Sequence, residues 1–337
     1  MVCRIGLDGS YRKSAEDLRR LSQITLSYQS VRRLFQVEGH KVLTAQRAGT
    51  LAPTFNAEQC HGAADEPTCL ITGADGFQVP LITETEKRKR RVKAMQRRAQ
   101  LRRKGHTLSP LPKRSRGSDQ HWKEAKLVTF YDPRGRYRHT AATTGNHNVL
   151  GRIMRREAAK LRLDKADRKY SVSDGADWIR RQYSQQLPML EAMILDYYHL
   201  RDHAIVCSKS LYGEGTAQAQ QWRKGLCRKL LRGGPLEVLT DLAVEIRSHR
   251  GHKRQALQSL HGYMARRTQM LDYPRYLAEG FQIGSGPTES QCKGLTARLK
   301  GRGRRWNRTA IDAHLAVHCL HSNSGQWRKH WPKASIP

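Results

Sequence analysis

Three acidic residues carry the chemistry this chain could do. Asp75 sits in Gly73-Ala74-Asp75-Gly76-Phe77-Gln78-Val79-Pro80-Leu81, Asp174 in Ser173-Asp174-Gly175-Ala176-Asp177-Trp178-Ile179, and Glu289 in Ile283-Gly284-Ser285-Gly286-Pro287-Thr288-Glu289-Ser290, at the head of a helix with a basic exposed face. Carboxylates supply hard oxygen ligands for divalent cations. Two such ions about 3.5 to 4 Å apart activate a water or a 3′-hydroxyl and stabilise the leaving oxygen during attack on a phosphodiester. Each residue also has an ordinary use: Asp75-Gly76 makes a turn, Asp174-Gly175 a turn and helix cap, and Glu289 suits a helix start and pairs with Lys293 at i+4. The chemistry therefore requires a fold that gathers residues 99 and 115 positions apart.

The elements that would do so can be traced along the chain. Cys69 to Thr72 and Phe77 to Leu81 alternate as a first strand with Asp75 within it or at its kink; Ala125–Tyr131 and Tyr137–Thr144 form a hairpin around the turn Asp132-Pro133-Arg134-Gly135. Val149, Leu150, Ile153, Met154 and Leu161 have helical spacing, Tyr170–Ser173 is a fourth strand, a helix follows from Ala176 to Gln185, and Met193–Asp196 is a fifth strand. From about Tyr198 to Arg267 the pattern is helical, broken at Gly213-Glu214-Gly215 and Gly233-Gly234-Pro235. This order predicts a mixed α/β sheet of the RNase H-like kind, with three antiparallel strands, parallel additions and flanking helices. In it the first and fourth strands are neighbours, so that Asp75 meets Asp174.

The expected organisation has four parts: residues 1–66, a short helical region and linker that could form part of a DNA-binding domain; 67–200, the first part of the core; 201–280, a helical insertion; and 281–331, the last part of the core with Glu289. In the first region Ser14-Ala15-Glu16-Asp17-Leu18 reads as a helix start and Ser30–Phe35 as part of a second helix, while residues 51–66 read as the linker. A polybasic stretch, 87–116, interrupts the core with 14 Lys or Arg and no acidic residue, and its pattern predicts helix at most over Val92–Leu101.

Charge points to the partner. The chain has 62 Lys plus Arg against 29 Asp plus Glu, a net charge of +33 in 337 residues, which favours a polyanion and above all nucleic acid. Lys87, Arg88, Lys89, Arg90 and Arg91, together with Lys293, Arg298, Lys300, Arg302, Arg304 and Arg305, are the expected contacts to DNA phosphates. Hydrophobic residues make up 38% and six tryptophans are present, enough for one large domain with appendages. Trp222 and Trp306 are candidates to stack on an unpaired base, with core packing the commoner use.

No apolar run approaches the roughly 18 residues of a spanning helix and the start lacks the apolar stretch of a secretory signal, so a cytoplasmic, nucleoid-associated location is expected and a membrane is not. The seven cysteines are scattered and odd in number, which predicts reduced thiols. Cys60-His61 with Cys69 has zinc-ligand types but lacks a fourth ligand at the usual spacing.

The segments around the three acids, with Trp122-Lys123-Glu124-Ala125-Lys126 and Leu195-Asp196-Tyr197-Tyr198-His199-Leu200, resemble DDE transposases of bacterial insertion sequences, in the branch related to Mutator-like elements that has an all-helical insertion. The resemblance covers roughly residues 70–331. It implies that Asp75, Asp174 and Glu289 are the catalytic triad and the ligands of two Mg²⁺ ions, with Mn²⁺ as a substitute. It places Asp196 and His199 in an auxiliary element, and it implies transposition as a dimer or higher oligomer on the element's terminal inverted repeats and a target DNA. Relatives commonly have a longer N-terminal DNA-binding region and a methionine at the position of Arg304. A decayed transposase that only binds nucleic acid, or a stand-alone metal-dependent nuclease, fits the same residues.

Overall fold

A computed structural model describes residues 1–61 and 66–331. Residues 62–65 of the expected linker and the end of the chain lie outside them. One mixed sheet contains β1 (Cys69–Pro80), β2 (Trp122–Tyr131), β3 (Arg138–Thr143), β4 (Arg168–Ser173) and β5 (Ala192–Leu195), in the order β3-β2-β1-β4-β5. The β1–β2 and β2–β3 pairs are antiparallel, whereas β1–β4 and β4–β5 are parallel. The first and fourth strands are thus neighbours, as the strand order predicts. The β2–β3 turn closes because Asp132 accepts the Tyr137 N–H at 2.7 Å and Gly135 takes a left-handed φ of 70°.

Three helices precede the sheet: α1 (Val2–Asp8), α2 (Tyr11–Ser22) and α3 (Tyr28–Arg47). The second begins three residues before the expected Ser14, because Ser10 is its cap and accepts the Lys13 N–H at 3.2 Å. Ser14 is instead buried inside the helix, its hydroxyl bonded back to Ser10 O and across to Ile5 O.

The polybasic stretch departs most from expectation. Helix α4 runs over Glu84–Arg103, far beyond 92–101, since Thr83 and Glu86 form a reciprocal capping box at its start. None of its residues is buried. The chain returns alongside it, held by Lys87 Nζ to Arg116 O at 2.7 Å and Arg91 to Pro112 O at 2.8 Å. The product is a projecting basic arm.

Two helices, α5 (His147–Lys160) and α6 (Asp177–Gln186), cover one face of the sheet, packing Leu150, Met154, Ile179 and Tyr183 against Leu70, Ala74 and Val128. After β5 comes a helical block: α7 (Tyr197–Tyr212), α8 (Ala217–Gly233), α9 (Pro235–Ser248), α10 (Gly251–Ala265) and α11 (Tyr273–Ala278). Its core is continuous with the sheet through Ile71, Tyr170 and Ile194. Trp222 lies in this block, its indole N–H donating to Glu245 at 2.9 Å. Helices α12 (Gly286–Leu299) and α13 (Arg308–Ser322) return to the sheet, Leu295, Leu299, Ile311 and Leu315 meeting Phe77, Val79 and Leu127, and α14 (Gln326–His330) ends the described chain. Trp306 is buried in that packing and donates to Leu299 O at 2.8 Å.

The N-terminal helices pack onto this same side. Phe35 and Val42 of α3 bury against α13, and at Gly39 a Cβ would come within 2.9 Å of Ala313 O. Among the described residues no helix is long and apolar enough to cross a membrane.

Candidate functional site

Strand alternation decides where Asp75 points. Phe77 and Val79 pack with α12, whereas Leu70 and Ala74 pack with α5 and α6, so Asp75 shares the α12 face. The parallel ladder pairs Ile71 with Tyr170 and Thr72 with Ser171, an offset of 99; continued, it sets Asp75 level with Asp174.

Asp174 follows the last residue of β4. Its Oδ1 accepts the Ala176 N–H at 2.9 Å, and Gly175 turns the chain with φ at 71°. That turn is braced from the helical block: Tyr263 donates its hydroxyl to Asp174 O at 3.1 Å, and Arg267 Nε donates to Gly175 O at 2.8 Å. Any side chain at position 175 would also collide, since a Cβ there lies 2.6 Å from Leu195.

Glu289 stands in the first turn of α12, half-exposed, with Lys293 Nζ 3.4 Å away. The helix lies along β1. Thr288 covers Gly73, where no Cβ fits, and one turn on Cys292 lies near enough to Asp75 to affect its ionisation. Burial raises the Asp75 pKa, and the nearby charges of Asp174 and Glu289 raise it further, against the opposing bonds from Cys292 and the Gly76 N–H. Asp75 thus lies within electrostatic reach of the other two acids. Burial, the Asp75 charge and their shared hydrogen bond push Cys292 up to about 12.

Carboxylate oxygens are the donors Mg²⁺ and Mn²⁺ prefer, so the set fits such ions in kind. In arrangement it is not a formed cluster: among the described residues no group of three His, Cys, Asp or Glu side chains is gathered to hold a metal. Each acid is engaged locally. Asp75 holds the Gly76 N–H at 2.6 Å, Asp174 holds Ala176, and Glu289 leans to Lys293. The cysteines are free thiols, and Cys60 with Cys69 belongs to no metal group.

Asp196 is buried at 1% exposure and caps α7, its Oδ1 accepting Tyr198 N–H at 2.7 Å and His199 N–H at 3.1 Å. Its Oδ2 accepts the Ser285 N–H at 2.6 Å and the Ser285 hydroxyl. The His199 ring is exposed, 5.4 Å from the His203 ring, which stacks at 3.9 Å on Tyr263.

The basic residues divide. Arg88, Lys89, Arg90, Lys293, Lys300, Arg302 and Arg305 are exposed, Arg305 pairing with Glu86 at 2.9 Å. Lys87 and Arg91 spend their donors on the return segment of the arm, and Arg304 donates to Arg298 O at 2.7 Å. Arg298, expected at the DNA face, is a correction: it is 5% exposed, donates to Gly6 O at 3.0 Å and lies against Tyr11 and Trp306 at 5.1 and 5.0 Å. It faces the N-terminal helices because Gln291, Leu295 and Arg298 share one buried stripe of α12.

Sequence reasoning missed Tyr263, Arg267 and the bonding role of Ser285. Only Ser285 lies inside a segment that local pattern singles out; the other two are ordinary helix residues until the block docks. No family model matches the chain, and no curated protein matches it in sequence.

Proposed function

We propose that this chain is a metal-dependent DNA transposase with an RNase H-like core, the residues after β5 forming a helical insertion. The observation that carries the reading is geometric: the β1–β4 register, continued, sets Asp75 level with Asp174, and α12, with Glu289 in its first turn, packs on the Asp75 face of β1 in a sheet ordered β3-β2-β1-β4-β5. Three unrelated turn and cap residues need not be borne by segments that meet in this way.

Asp75, Asp174 and Glu289 would hold two Mg²⁺ ions, which Mn²⁺ replaces. Bound, these supply Lewis-acid activation of the attacking oxygen and stabilisation of the leaving one. The chain's own residues prepare the site. Tyr263 and Arg267 fix the Asp174 turn, and the α12–β1 packing holds the helix that bears Glu289 on the Asp75 face of β1. Lys293, Lys300 and Arg302, with Arg88, Lys89 and Arg90 on the arm, would hold phosphates of the terminal inverted repeats and the target, positioning DNA without reading its sequence. Joining two element ends calls for a dimer or larger assembly, acting on the nucleoid in the cytoplasm.

The test incubates the purified protein with labelled terminal inverted repeats, Mg²⁺ and a target plasmid, beside Asp174→Asn. Strand cleavage and joined product, both lost in the variant, are expected. Cleavage without joining would replace the reading with a nuclease. Salt-sensitive binding without cleavage would replace it with a non-catalytic DNA-binding protein.

A further inference from the structure

The end of β5 and the start of α12 are fastened by a single carboxylate, and we infer that Asp196 is a positioning residue that sets Glu289 relative to Asp174. The inference rests on the proposed transposase reading for its purpose, and on geometry for its substance. Asp196 N–H donates to Ser173 O at 2.7 Å, beside Asp174. The Asp196 side chain then receives the Ser285 N–H and hydroxyl, and Ser285 O accepts the Glu289 N–H at 3.0 Å. A parallel tie runs next to it, Tyr197 N–H to Ile283 O at 2.9 Å. The segments that bear two of the three acids are therefore linked through one residue, by its main-chain N–H on the Asp174 side and by its carboxylate on the Glu289 side.

The same geometry assigns Asp196 no direct chemistry. It is buried, and its two oxygens accept four hydrogen bonds, two from α7 and two from Ser285. An ionised carboxylate is an acceptor only, so it serves four donors at once. An amide of the same shape cannot. In Asp196→Asn the NH₂ group must face either the α7 amides or Ser285, donor against donor, and one clasp opens. At Gly284, just before Ser285, a Cβ would lie 2.8 Å from the Tyr198 ring, so the loop closes onto α7 where no side chain intervenes.

Partners that orient metal ligands cost about 10–100-fold in metal affinity when removed. The test measures Mn²⁺ binding by water-proton relaxation, Mn²⁺ dependence of strand cleavage, and hydrogen exchange over 284–291, in the full chain and in Asp196→Asn, Ser285→Ala and Asp174→Asn. Asp196→Asn should raise the Mn²⁺ concentration for half-maximal cleavage by about 10–100-fold at unchanged KM for DNA. It should also speed exchange at 285–289, and Ser285→Ala, which keeps the N–H bond, should do both to a smaller degree. Lower kcat with unchanged Mn²⁺ half-saturation would reduce Asp196 to a structural cap and overturn the proposal. Unchanged exchange would overturn it too. If the wild-type chain neither binds Mn²⁺ nor cleaves, the transposase reading fails, while the exchange measurement still decides whether Asp196 holds α12. Should Asp196→Asn not fold, the Ser285→Ala arm carries the same comparison.

Discussion

Thr288 lies over Gly73 so closely that a single methyl group there would overlap its Oγ1 and come within 3.0 Å of Val172 O. The strand bearing Asp75 and the helix bearing Glu289 approach at this point with no side chain from the strand between them. Gly73→Ala should push α12 away from β1, costing about 1–3 kcal/mol in chemical denaturation, as overpacked cores do. Adding Thr288→Ala removes the obstructing oxygen, so the double variant should recover part of that loss. Strict additivity of the two changes would show that Gly73 is not what admits the helix.

Arg298, in the last turn of α12, and Lys300, the residue that caps its end, have opposite expected effects. Arg298→Ala should lower stability by about 1.5–3 kcal/mol, the range for a hydrogen bond from a charged group, since it frees Gly6 O and unpacks Tyr11 and Trp306. Lys300→Ala should leave the melting temperature unchanged and weaken DNA binding. Denaturation and binding curves on the two variants check the division.

The arm offers a cleaner electrostatic measurement, because α4 contributes no buried residue to the core. Replacing Arg88, Lys89 and Arg90 by Gln should leave the fold intact while flattening the salt dependence of DNA binding. Each lost phosphate contact reduces the slope of log K against log salt by about 0.9. An unchanged slope would remove these residues from the interface.

Acid should destabilise the protein in two stages. Burial opposes ionisation of Glu157, but the His139 bond and the charges of His139, Lys160 and Arg156 prevail and hold its carboxyl down at about 2. A folded pKa below the unfolded one gives stability that is present above about 4.5 and lost as pH falls toward 2, on the order of 3 kcal/mol. Burial, with His321 and Arg138 nearby, holds His318 down at about 4, so its contribution fades earlier, from about pH 6.5 to 4. Melting temperatures measured from pH 7 to 3 should fall in both windows. Glu157→Gln should weaken the dependence below 4.5 while leaving the upper window.

The chain's local patterns determined a good deal. Alternation marked β1 with Asp75 within it or at its kink, the Asp132-Pro133-Arg134-Gly135 turn marked the hairpin, and strand order made β1 and β4 neighbours. Even some errors were legible: Thr83 and Glu86 announce a helix start that the charge run conceals, and Arg298 lies at the i+3 and i+7 positions of the Leu295 and Gln291 stripe. What no local pattern contained was which distant group would satisfy each buried polar atom. The guanidinium of Arg298 finds Gly6 O, 292 positions away, the Asp196 carboxylate finds Ser285 after 89, and Tyr263 reaches Asp174 after 89. Buried polar groups must be paired, yet the partner is whichever donor or acceptor packing delivers. The three acids could be named from sequence; the bonds that brace the segments bearing them exist only once the chain is folded.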